Sequence, residues 1–127
     1  MRPLTLEWIK KAEGDLAIAG RELRVRKSPV YDAVCFHSQQ CAEKYLKAIL
    51  QENEREIPKI HNLIELLKLC AEIDSSLVML QADLWTLERY SVRVRYPGVN
   101  TEKDEAKAAY KAAEAVREFL KQKLGES

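Results

Sequence analysis

Two groups of side chains in this sequence have types and spacings that could do chemistry. The first is Trp85, Arg89 and Arg93, each four residues after the last, which on a helix form one ridge. Arg95 and Tyr96 follow directly, and the segment Glu88 to Tyr96 is the densest concentration of cation and aromatic in the chain. Arginine recognises phosphate bidentately, and tyrosine can stack on a base. The same ridge also fits a contact between helices or between two copies of the chain, with its arginines paired to acidic neighbours. The second group centres on His37, which falls inside the apolar stripe of a helical segment. A histidine there is either a core residue hydrogen-bonded to a side chain of another helix or a polar group at the floor of a cleft.

Other chemistries find no support. His37 and Cys41 share a helix face at i, i+4, but two histidines (His37, His61) and three cysteines (Cys35, Cys41, Cys70) do not make zinc spacing, so no metal is expected. The glycines are isolated, which leaves no phosphate-cradling loop and no dinucleotide fingerprint, and no cofactor is expected. No pair of carboxylates stands out from the charged background.

The elements that must position these residues are helices. Thr5 is the expected cap of a first helix over about Leu6 to Lys27, with Leu4 and Ile9 as a hydrophobic staple. Its apolar stripe is Ile9, Ala12, Leu16, Ala19 and Leu23. It ends on Arg21, Arg24, Arg26 and Lys27, cations that suit the negative end of a helix. Ser28-Pro29 predicts the start of a second helix running to about Glu52. Two adjacent stripes cover it: Val30, Ala33, Val34, His37, Cys41, Tyr45 and Ala48, then Cys35, Ala42, Leu46 and Ile49. A helix apolar on so much of its surface is central to a bundle.

Pro58 breaks the chain, and Asn62 with Glu65 opens a short third helix carrying Leu63, Leu66, Leu67 and Cys70. Asp74-Ser75-Ser76 predicts a cap for a fourth helix over Leu77 to about Val92, with Leu77, Leu80, Leu84, Leu87 and Ser91 inward. Tyr96-Pro97-Gly98 stops it. Thr101 is the expected cap of a fifth helix with Ala106, Ala109, Tyr110, Ala113, Val116 and Leu120 on its core face, ending at Gly125. Short connections make sequential helices antiparallel. The expected fold is all-α: an up-and-down four-helix bundle with a short additional helix, one domain over residues 1–127.

Composition bounds the partners. With 46% hydrophobic and 32% charged residues the chain is not disordered. A net charge of +1 gives no global pull towards nucleic acid or lipid, so any such binding needs a local patch. No apolar run approaches the roughly 18 residues that span a bilayer, and the first residues lack a signal-peptide core. A cytoplasmic protein with no membrane contact is expected, its three cysteines being buried thiols in a reducing compartment.

The stretch Cys35-Phe36-His37-Ser38-Gln39-Gln40-Cys41-Ala42-Glu43-Lys44-Tyr45-Leu46-Lys47-Ala48-Ile49-Leu50 resembles the signature second helix of HEPN domains. Pro58 with Ile60-His61-Asn62-Leu63, the closing Arg95-Tyr96-Pro97, and the opening Trp8-Ile9 with Ala12-Glu13-Gly14-Asp15-Leu16 are similar to further family motifs. The resemblance implies a helical bundle that pairs into a homodimer. It also implies nucleotide or RNA binding and, in many prokaryotic cases, a minimal nucleotidyltransferase partner in a toxin–antitoxin-like pair. Many members are metal-independent ribonucleases that carry an arginine and, after a gap of four to six residues, a histidine. Here the positions after Arg89 hold Val94, Arg95 and Tyr96, and those after Arg93 hold Gly98, Val99 and Asn100.

The resemblance without that histidine points to a non-catalytic HEPN module that binds a nucleotide, RNA or a nucleotidyltransferase partner. Its cleft would be lined by Arg89, Arg93, Arg95 and Tyr96, with His37 and Lys44 as further candidates. The alternative is a divergent metal-independent ribonuclease toxin, in which Arg89 or Arg93 stabilises the pentavalent phosphate across a dimer interface.

Overall fold

Pro3 opens α1 (Pro3–Leu23), because its fixed φ suits the first helical position and the N–H it lacks would be unbonded there. The helix therefore starts ahead of Thr5, which is buried inside it rather than capping it, and Leu4 is left exposed instead of forming a staple. The computed structural model describes residues 1–93 and 96–125. α1 stops at Leu23, short of the expected Lys27, and Ser28 takes a left-handed φ of 54° instead of the extended φ of a helix N-cap. α2 (Tyr31–Glu52) starts after Val30, whose N–H is taken by the Glu22 carboxylate at 2.8 Å.

The α2 stripes bury Val34, Cys35, Cys41, Ala42, Tyr45, Leu46, Ala48 and Ile49, which makes this the central helix. Asn62 caps α3 (Leu63–Ala71) by accepting the N–H groups of Ile64 and Glu65. Asp74 caps the next segment as expected, but the chain first winds a tighter 3-10 turn over Ser75–Leu80 before α4 (Gln81–Arg93). Leu77, Leu80, Leu84, Leu87 and Ser91 are all buried.

α5 (Lys103–Lys123) is capped by Glu102 in a reciprocal box with Glu105, one residue beyond the expected Thr101. The Thr101 N–H instead donates to Asp32 Oδ1 in the first turn of α2 at 3.3 Å. That bond returns the α4–α5 connection to the start of α2. α1, α2, α4 and α5 form the bundle around one main core, with α3 as the short addition against α2 and α4. No strand occurs among the described residues.

Candidate functional site

α4 positions its ridge by burying the opposite side. With Leu84, Leu87 and Ser91 inward, helical geometry turns Ala82, Trp85, Thr86 and Arg89 outward. Trp85 stays 52% exposed, and these four residues line a cleft of about 360 Å³. The Arg89 guanidinium lies 5.0 Å from the Tyr90 ring, within cation–π range. The two carboxylates of α4 are off this face. Glu88 is buried and accepts the Leu63 N–H at 3.0 Å, while Asp83 is partly buried, which pushes its carboxyl pKa up. Tyr96 is exposed at a turn closed by the Val99 N–H on its carbonyl. Gly98 there has φ 83°, a conformation that favours glycine. Arg95 and the Arg93 side chain lie outside the described residues.

His37 and Lys44 sit elsewhere, on the seam between α1 and α2. Asp15 accepts the His37 Nδ1–H at 2.8 Å on one oxygen and the Lys44 ammonium at 2.5 Å on the other. The carboxylate fixes the proton on Nδ1. Among the described residues His37 Nε2 has no hydrogen-bond partner, and the side chain is 25% exposed, so this nitrogen is open to solvent. His37 thus makes the interhelical hydrogen bond of one of its two readings, with its side chain partly exposed and not in the core. No hydrogen bond or ion pair joins His37 or Lys44 to Arg89 or Tyr96 among the described residues.

Two further networks lie along α2. Arg117 of α5 grips Glu13 of α1 bidentately, Nε at 2.6 Å and Nη2 at 2.8 Å, and the Tyr45 hydroxyl donates to the same carboxylate at 2.6 Å. The guanidinium holds the Glu13 pKa below the usual carboxylate range, while burial and the adjoining carboxylate push the Tyr45 hydroxyl up. Buried Glu43 accepts the Lys47 ammonium at 3.0 Å and His61 Nδ1–H at 3.1 Å. Gln39 adds a bond to the His61 carbonyl at 3.0 Å, pinning the entry to α3.

Asp15, Glu43 and Arg117 escaped the reading of individual residues. Lys47 follows Glu43 at i+4, so that pair was visible in the spacing. Glu13 and Arg117 lie 104 positions apart, beyond any local signal.

The three cysteines are buried thiols. Burial pushes Cys70 up to about 12 and raises Cys41 as well, so neither is a thiolate poised for nucleophilic or metal chemistry. No group of three potential metal ligands occurs among the described residues. No described helix is long and apolar enough to cross a membrane.

Comparison with known proteins places this geometry. A model of the HEPN domain matches residues 5–124. A protein of Methanocaldococcus jannaschii named "Putative toxin MJ1304" is 32% identical over 138 aligned positions, covering 93% of this chain and 89% of its own. The crystal structure of ST0689, an archaeal HEPN homologue, superposes with TM-score 0.73 at 27% identity over 97% of this chain and 98% of the other. That of TT1696 from Thermus thermophilus superposes with TM-score 0.76 at 23% identity over 94% and 97% of the two chains, a likeness of fold.

Proposed function

We propose that this chain, which belongs to the HEPN domain family, is a toxin-type binding module that holds RNA or a nucleotide on the outer face of α4. The reading places it in a toxin–antitoxin-like pair with a nucleotidyltransferase partner and as a two-fold dimer. One observation carries it: Trp85, Thr86 and Arg89 line an open cleft, and the carboxylates of α4 are turned off that face. An exposed indole can stack a base, and an arginine can hold its phosphate. The toxin name of the M. jannaschii relative supports the class of role.

The arginine–histidine pair of the ribonuclease members is absent from the α4 sequence, so the module binds without cutting. The test is RNA binding by fluorescence anisotropy. Trp85→Ala and Arg89→Ala are expected to weaken binding about tenfold each, the equivalent of about 1.4 kcal/mol and within the range for one lost stacking contact. Unchanged affinity in both variants, or no binding by folded wild type, would overturn the reading.

A second reading, the metal-independent ribonuclease, is favoured by one feature. Asp15 orients His37 with Nε2 towards solvent, the arrangement a general base requires. RNA cleavage that survives EDTA and disappears in His37→Gln would favour it over the binding module.

A further inference from the structure

Arg21 in the last turn of α1 and Arg24, Arg26 and Lys27 just beyond it are all exposed. A helix dipole accounts for cations at this position, but the fold adds a second contributor. α5 runs back along α1 so closely that a Cβ on Gly20 would meet the Tyr110 hydroxyl at 2.9 Å. Where the two helices meet, Leu23, Tyr110, Lys107 and Lys111 line a cleft of about 560 Å³. Arg24 stands near enough for its charge to act on the Tyr110 hydroxyl.

None of these six cations makes an ion pair among the described residues. The neighbouring carboxylates are occupied with the backbone. Glu22 holds the Val30 N–H, Asp32 holds the Thr101 N–H, and Glu102 and Glu105 close the α5 capping box. Asp104 and Glu114 line the cleft beside Lys107 and Lys111, so its cations exceed its carboxylates only with Arg24 and Arg26 of the neighbouring turn counted in. The Thr101–Asp32 bond also brings the chain leaving α4 to the start of α2, so the C-terminal ends of α1 and α4 share one end of the bundle.

We propose that this cleft is a second anchor for a single RNA strand, with phosphates on Arg24, Arg26, Lys107 and Lys111 and one base against Leu23 and Tyr110. The inference rests on the reading of the α4 face as an RNA surface and extends the strand's path around the end of the bundle. Unpaired cations around an apolar slot suit an unstacked base with its backbone, because the charges bind phosphate and the slot takes the ring.

The experiment measures binding of a labelled oligouridylate to the full chain across a salt series. The variants are Arg24→Ala/Arg26→Ala/Lys107→Ala/Lys111→Ala, Arg24→Lys/Arg26→Lys, and Trp85→Ala/Arg89→Ala. Each phosphate contact contributes about 0.7 to the log–log salt slope for a single strand. The quadruple variant is therefore expected to lower the slope by about 2 to 3, and the lysine variant to keep it. All four positions are exposed, so the melting temperature should hold.

An unchanged slope in the quadruple variant, with weaker binding in Trp85→Ala/Arg89→Ala, overturns this anchor and leaves the α4 reading standing. A lowered slope with no effect of Trp85→Ala/Arg89→Ala supports the anchor and overturns the α4 site. A wild type that ignores the strand, or that binds phosphatidylserine vesicles in its place, overturns both.

Discussion

Asp15 of α1 holds two residues of α2 at once, His37 on one oxygen at 2.8 Å and Lys44 on the other at 2.5 Å. The carboxylate is nearly buried, with its side chain 10% exposed, so the seam between the two helices depends on this acid. Asp15→Ala leaves an imidazole N–H and an ammonium without their acceptor, and the expected loss is about 1–3 kcal/mol by urea denaturation. Because the three groups act as a unit, His37→Ala should cost less in the Asp15→Ala background than in wild type.

The Glu13–Arg117 pair gives stability a pH dependence of known sign. Arg117 depresses the folded-state pKa of Glu13 below its unfolded value of about 4.3. The contribution is therefore complete above that value and is lost as pH falls through the lower, folded one. Glu13→Gln should destabilise clearly at neutral pH and converge on wild type in acid. A penalty that does not shrink as pH falls would contradict this.

Gly20 is required by a neighbour rather than by backbone conformation. Alanine would normally favour a helix interior by about 1 kcal/mol over glycine, but its Cβ would stand 2.9 Å from the Tyr110 hydroxyl and 3.3 Å from the ring. Gly20→Ala is expected to destabilise wild type by about 1–2 kcal/mol. In a Tyr110→Phe background, where the nearest atom is gone, thermal melts should show that penalty largely relieved.

Cys35, Cys41 and Cys70 should resist alkylation in the native state at mildly alkaline pH. All three are fully buried, and burial holds the Cys70 thiol at about 12, with its Sγ–H donated to the Leu46 carbonyl at 3.3 Å. Mass spectrometry after iodoacetamide should find label only once urea is added. Fast native labelling of Cys70 would contradict that burial.

Apolar spacing alone determined the helices and the sides they bury. The inward series of α5, and of α4 with the 3-10 turn before it, needs only this spacing, since apolar side chains at i, i+3 and i+4 must leave water together. Leu77 to Ser91 and Ala106 to Leu120 accordingly stand in the core, with Tyr110 at its edge. The Asn62 and Asp74 caps were legible because a short polar side chain before an apolar run reaches only the first free amides. The outward ridge of Trp85 and Arg89 follows from the same repeat.

Helix ends were less legible where a distant group competes for the local amide. Glu22 takes the Val30 N–H across a turn, and Asp32 takes the Thr101 N–H from another helix. Periodicity marked His37 and Lys44 as side chains of one helix, but not that a single carboxylate of α1 holds both. Nor could it bring Arg117 to Glu13, or Lys107 and Lys111 beside the basic end of α1. Those relations join residues far apart in the chain, and only the packing of α1 against α2 and α5 sets the distances on which a hydrogen bond or a charge acts.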